Sequence, residues 1–153
     1  MIKINVIVKD KTWLRFIENP EIYLKRKIRK IQKEKLFRKN NFNFSLQLSG
    51  TKEIKFLNKK FRKKNKSTDV LSFPNNTKKK FRELKNTKLE IYLGDIIINF
   101  RKINASSKIL FKKKFDELWI HGLVHLFGYD HIKDSNFKKM NHIEKKFLKK
   151  LTR

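Results

Sequence analysis

Three of the chain's four histidines fall within eleven residues, in the run His121-Gly-Leu-Val-His125-Leu-Phe-Gly128-Tyr-Asp130-His131. On a helix, residues four apart stand on one face, with Cβ atoms about 5–6 Å from each other. His121 and His125 so placed can share one metal ion. Gly128 suits the left-handed position that ends a helix, and the chain folding back after it can bring in His131 as a third nitrogen. Three imidazoles plus water form the open coordination of a catalytic zinc, whereas a structural zinc usually takes four protein ligands. The expectation is one Zn2+ on His121, His125 and His131. For a bare His-x3-His the competing reading is a pair of ordinary helix histidines; the glycine turn and the third histidine weigh against it. Asp130 is either a carboxylate that orients a ligand imidazole or a turn residue, and both readings stand. His142 reads as an ordinary surface residue.

The spacing is that of the metzincin protease pattern H-E-x-x-H-x-x-G-x-x-H except at its second position. There a protease needs glutamate as general base, and this chain has Gly122. The metal cradle is kept and the protease base is absent, which disfavours a zinc peptidase.

The elements that must position this cluster are legible in outline. Ile2, Ile4, Val6 and Val8 alternate with polar residues, as in a half-buried strand. From Pro20, near-helical spacing of Ile22, Leu24, Ile28, Ile31 and Leu36 predicts a helix to about Arg38. Phe42, Phe44, Leu46 and Leu48 alternate again up to Ser49-Gly50. Thr51 then suits the cap of a short helix with Ile54, Leu57 and Phe61 on one side. Val70 to Phe73 is a short strand ended by Pro74, and the basic stretch 75–88 reads as a mobile loop. Tyr92 to Ile98 is the most apolar strand, expected near the middle of a sheet, with Gly94-Asp95 as a candidate irregularity. A helix is predicted from Lys112 to Phe127. Another follows from about Asp134 to Leu151, with Phe137, Met140, Ile143, Phe147 and Leu151 facing inward. Four strands and four or five helices make an α+β chain, read as a single domain over residues 1–153.

Composition narrows the setting. The chain has 153 residues, 39% of them hydrophobic, and no cysteine, so thiolate metal sites and disulfide scaffolds are excluded and a reducing cytoplasm is the expected location. No apolar run approaches the roughly 20 residues of a membrane span, so no membrane partner is expected. The formal charge of +27 attracts polyanions, nucleic acid first among them. An AT-rich coding bias toward Lys, Asn, Ile and Phe accounts for the same charge, and Lys, unlike Arg, does not form phosphate forks.

Taken together, H-G-x-x-H-L-x-G-Y-D-H resembles the signature of the YbeY family of rRNA-maturation endoribonucleases. Leu57-Asn58-Lys-Lys-Phe61-Arg62 with Thr68-Asp69-Val70-Leu71-Ser72-Phe73-Pro74 is similar to the family's L-N-x-x-[FY]-R and T-D-V-L-S-F-P blocks, and Leu93-Gly94-Asp95-Ile96 to its L-G-D-I strand. The order and separations match as well. Where the family usually has an acidic residue and a proline ahead of T-D-V, this chain has Asn65 and Ser67. The resemblance implies an α+β fold whose small mixed sheet of about four strands packs with four to six helices. It implies one zinc on three histidines and cleavage of single-stranded rRNA, in 16S rRNA 3′-end maturation and ribosome quality control, with the ribosome or its small subunit as partner and no nucleotide cofactor. By the same resemblance Arg62 is the functional arginine. For Thr68, Asp69, Ser72 and Asp95 turn, cap or strand roles are favoured over pocket roles. The nucleophile stays open between a zinc-bound water and the substrate's 2′-hydroxyl. The rival readings are a non-catalytic basic RNA- or ribosome-binding protein and a peptidase-like zinc hydrolase.

Overall fold

A computed structural model describes residues 1–38, 40–83, 90–130 and 134–152. Its centre is a four-stranded sheet in the order β1-β2-β4-β3, formed by β1 (Ile2–Val8), β2 (Asn41–Ser49), β3 (Val70–Pro74) and β4 (Glu90–Asn99). β1 and β2 run parallel, as do β2 and β4, while β3 is antiparallel to β4 and forms one edge. The sheet is therefore mixed, and the apolar 92–98 run is an interior strand as expected.

Alternation along the strands assigns the two faces. Ile2, Ile4, Phe42, Phe44, Leu46, Leu48, Ile96 and Ile98 are buried in one cluster with α1 (Pro20–Ile31), α4 (Lys108–Leu126) and α5 (Asp134–Leu151). Among the described residues, the apolar packing on the opposite face lies over β3 and β4. There Ile54 of α2 (Thr51–Arg62) is buried with Leu71 and Ile97, and Leu57 and Phe73 pack against them. β3 is thus the strand where the two helical layers meet an open edge. Gly94 shapes this edge: its φ of +132° is one that other residues avoid, and a Cβ there would come 2.1 Å from the Phe73 carbonyl oxygen. The β2–β4 register slips at this point, the irregularity expected at Gly94-Asp95.

Several local expectations are corrected. The first long helix stops at Ile31, capped by Gln32, and Phe37 is buried instead from a separate 3-10 turn over Lys35–Phe37. Thr51 is not the cap of α2. Gly50 holds that position, and Thr51 exchanges hydrogen bonds with Asn99. The 75–88 stretch contains a helix, α3 (Lys78–Glu83), because the Thr77 hydroxyl accepts the Lys80 N–H and the Phe81 ring lies 5.6 Å from Phe127; residues 84–89 lie outside the described ones. α4 begins a turn earlier than predicted, where Ser107 caps it by accepting from Leu110 N–H. Phe137, expected to face inward, is exposed.

Buried charge ties the helices to each other. The Asp116 carboxylate of α4 accepts from Tyr23 Oη at 3.0 Å, Trp119 Nε1 at 2.9 Å and Lys27 Nζ at 2.7 Å, so α1 and α4 share a satisfied polar contact. Near the end of α1, buried Glu34 pairs with Lys146 at 2.6 Å and with Lys150, both on α5. Burial would raise the Glu34 carboxyl, but hydrogen bonds and charge from the two lysines outweigh it and hold it below its ordinary value. A depressed folded value stabilises the protein above the unfolded value near 4.5, and that contribution is lost as pH falls through the folded one. Glu34→Gln is expected to lower stability in urea at pH 7 by about 1–2 kcal/mol, since both lysines are partly exposed and regain water. The gap between variant and parent should close as the solution is acidified below the ordinary carboxylate range.

Candidate functional site

α4 carries His121 and His125 at the half-buried margin of an otherwise buried helical face. Their rings are 4.6 Å apart between centroids and inclined at 84°, and the two Nε2 atoms stand 3.1 Å from each other. Each ring is fixed from behind. His121 Nδ1 lies 2.8 Å from the Glu144 carboxylate, and His125 Nδ1 lies 2.8 Å from the Tyr129 carbonyl oxygen. Both partners only accept, so the proton of each neutral imidazole belongs on Nδ1, and each Nε2 turns a lone pair toward the other ring. Two such nitrogens at this distance repel unless a proton or a metal cation lies between them.

The separation tests the fit to zinc. Two Zn–N bonds of about 2.0–2.1 Å opened to a tetrahedral angle place the nitrogens about 3.3 Å apart. The 3.1 Å found here is close to that value. Imidazoles held by a carboxylate and a carbonyl are also the usual outer arrangement of a metal-binding histidine. The described residues therefore fit the ion. Among them, no third histidine or carboxylate completes a ligand set, and His131, the third expected ligand, lies outside them.

Local sequence explains this geometry. The four-residue spacing puts both rings on one side of α4, and Gly128, at φ +79°, turns the chain so that the Tyr129 carbonyl returns to His125. Asp130 accepts from Asn136 Nδ2 at 3.3 Å, a contact to the start of α5. A carboxylate stands behind the His121 imidazole, that of Glu144, which the sequence reading missed. A signal was present: Phe137, Met140, Glu144, Phe147 and Leu151 recur at alternate spacings of three and four, and Glu144 is the one charged residue in that stripe. His142 is exposed on α5, as expected.

Gly122 faces the sheet. A Cβ at that position would come 2.7 Å from Ile96 Cγ2 and 3.1 Å from Ser72 Oγ. A side chain at this position would run into β4 and β3, so Gly122 permits close helix–sheet packing. Ser72 also connects the histidine helix to Arg62. Its hydroxyl borders Gly122, while its carbonyl accepts from Arg62 Nη2 at 2.7 Å. Arg62 ends α2, exposed beside the edge strand, with its guanidinium 5.7 Å from the centre of the Phe73 ring. Asp69 accepts from Val70 N–H, and Asp95 accepts from Tyr92 Oη at 2.6 Å, so their carboxylates serve the strands.

Comparison with known proteins places the chain. A family model described as endoribonuclease YbeY matches residues 10–152. The chain is 42% identical over 143 residues to the endoribonuclease YbeY of Pelagibacter ubique, covering 92% of this chain and 90% of that protein. It is 34% identical over 154 residues to the Wolbachia (subsp. Drosophila simulans) protein of the same name, covering 99% and 95%. The solution structure of TM1509 from Thermotoga maritima is similar at a TM-score of 0.53 and 28% identity, across 99% of this chain and 89% of that one. The chain belongs to the YbeY endoribonuclease family. No helix of the described residues is long and apolar enough to cross a membrane.

Proposed function

We propose that this chain is a zinc-dependent endoribonuclease that cuts single-stranded RNA, with His121, His125 and His131 holding one zinc ion and Arg62 acting on the phosphate. The observation that carries the reading is the pair of Nε2 atoms 3.1 Å apart, with both Nδ1 atoms set against acceptors. Family membership supplies the reaction class. Zinc held there supplies Lewis acidity toward a phosphate oxygen. Glu144 and the Tyr129 carbonyl keep the imidazole protons on Nδ1 and the rings in place. Arg62, anchored by one bond to the Ser72 carbonyl, presents its remaining N–H groups to a phosphate whose charge grows in the transition state. The substrate is rRNA, at 16S 3′-end maturation and ribosome quality control in the cytoplasm, with the ribosome or its small subunit as partner.

The test is incubation of zinc-loaded protein with single-stranded and duplex rRNA fragments, beside His125→Ala. Cleavage of the single strand alone, abolished in the variant, is the expected result. Binding without cleavage would instead favour an RNA-binding protein. The charge adds a prediction of its own, because cations on the protein release counterions from phosphates. Six phosphate contacts on a single strand give a log–log slope of affinity against salt of about −4. A flat response between low and physiological salt would mean that the +27 charge serves no RNA contact.

A further inference from the structure

Rings and cations alternate along α2 and across to β3. Phe56 and Phe61 are 60% and 58% exposed. Lys60 Nζ stands between them, 5.8 Å from the centre of the Phe56 ring and 5.3 Å from that of Phe61. Phe61 meets the edge of Phe73 at 5.5 Å, and Phe73 carries the Arg62 guanidinium at 5.7 Å. The run therefore reads Phe56, Lys60, Phe61, Phe73, Arg62, and it finishes at the residue assigned to the phosphate.

A single exposed phenyl ring is ordinary. These two are distinguished by their continuity with each other and with cations. The core does not need them, because α2 is fixed to the sheet by Ile54 and Leu57. From Lys52 to Lys66 the chain has eight Lys or Arg side chains and one carboxylate, Glu53, which accepts from Gln47 and Ser49. Asp95, which lines the same groove as Phe61, accepts from Tyr92. An apolar protein surface laid here would strip water from several uncompensated lysines. A single-stranded polynucleotide matches both features, since each base offers a flat face to a ring and each phosphate a charge to a lysine.

We propose that the outer face of α2 is a stacking track for single-stranded RNA, on which bases rest against Phe56 and Phe61, phosphates meet Lys60 and its neighbours, and the strand is delivered to Arg62. The proposal rests on the RNA-cleaving reading and names where its substrate lies before the cut. Phe56 is the residue to change, because it is exposed and lies outside the cleavage machinery.

Binding is measured by fluorescence anisotropy with two probes, a short labelled oligoadenylate and an abasic ribose-phosphate oligomer of equal length. Phe56→Ala is expected to bind oligoadenylate about tenfold more weakly and the abasic oligomer as the parent does. Phe56→Trp should restore oligoadenylate binding, and Lys60→Ala should weaken both probes. Unchanged oligoadenylate binding by Phe56→Ala overturns the track, as does an equal loss on both probes; the first result leaves this face to a protein partner. Cleavage assays on the same proteins separate the two proposals. Normal cutting without dependence on Phe56 removes the track and keeps the nuclease, whereas ring-dependent binding without any cutting removes the nuclease and keeps the track.

Discussion

Replacing His125 with alanine is expected to empty the site of zinc and to abolish nearly all cleavage. The parent should hold about one ion, and the variant below about a tenth of that, because two remaining imidazoles hold zinc poorly. Loss of a Lewis acid worth several kcal/mol lowers the rate by at least about 10³-fold. His121→Ala and His131→Ala should behave alike, and His142→Ala should keep its metal. Glu144→Gln sets a finer test: it keeps an acceptor near His121 Nδ1 but removes the charge that makes the imidazole a stronger donor to metal. Its zinc affinity should fall about 10–100-fold. Elemental analysis and chelator competition read these outcomes, with circular dichroism confirming the fold. Unchanged zinc in all three of the His121, His125 and His131 variants would end the site assignment.

Arg62→Ala should leave zinc and fold intact, bind RNA nearly as well, and cut it far more slowly. Folding loses only the hydrogen bond to the Ser72 carbonyl, about 1 kcal/mol. Removing one electrostatic donor to a transition state typically costs about 10²–10³ in rate. Arg62→Lys should rescue poorly, because an ammonium restores charge but not the planar fork that can hold Ser72 and a phosphate together. Single-turnover cleavage at saturating enzyme isolates the chemical step from binding. Near-parental rates in zinc-loaded Arg62→Ala would reduce this residue to one of 41 basic side chains.

What the sequence determined by itself is what depends on short-range periodicity. His121 and His125 had to share a face because a helix turns once in about 3.6 residues. The strands at 2–8, 41–49, 70–74 and 90–99 were visible because alternation marks a half-buried sheet, and Gly94 marked the slip in β4. Periodicity failed where apolar residues were few: α3 needed the Phe81–Phe127 contact to show itself. It also misled on Phe137, whose spacing fits an inward stripe although its ring is exposed.

Tertiary structure alone decided which distant groups meet. Glu144 reaches His121 from 23 residues away. A side chain at Gly122 would meet Ile96 and Ser72, on strands far earlier in the chain. Nothing in composition separated Arg62 from the other cations; family resemblance named it, and packing shows it bound to the edge strand beside the histidine helix. Local propensity acts over a turn or a strand, whereas a catalytic arrangement joins residues whose closeness depends on how the whole sheet and its helices pack.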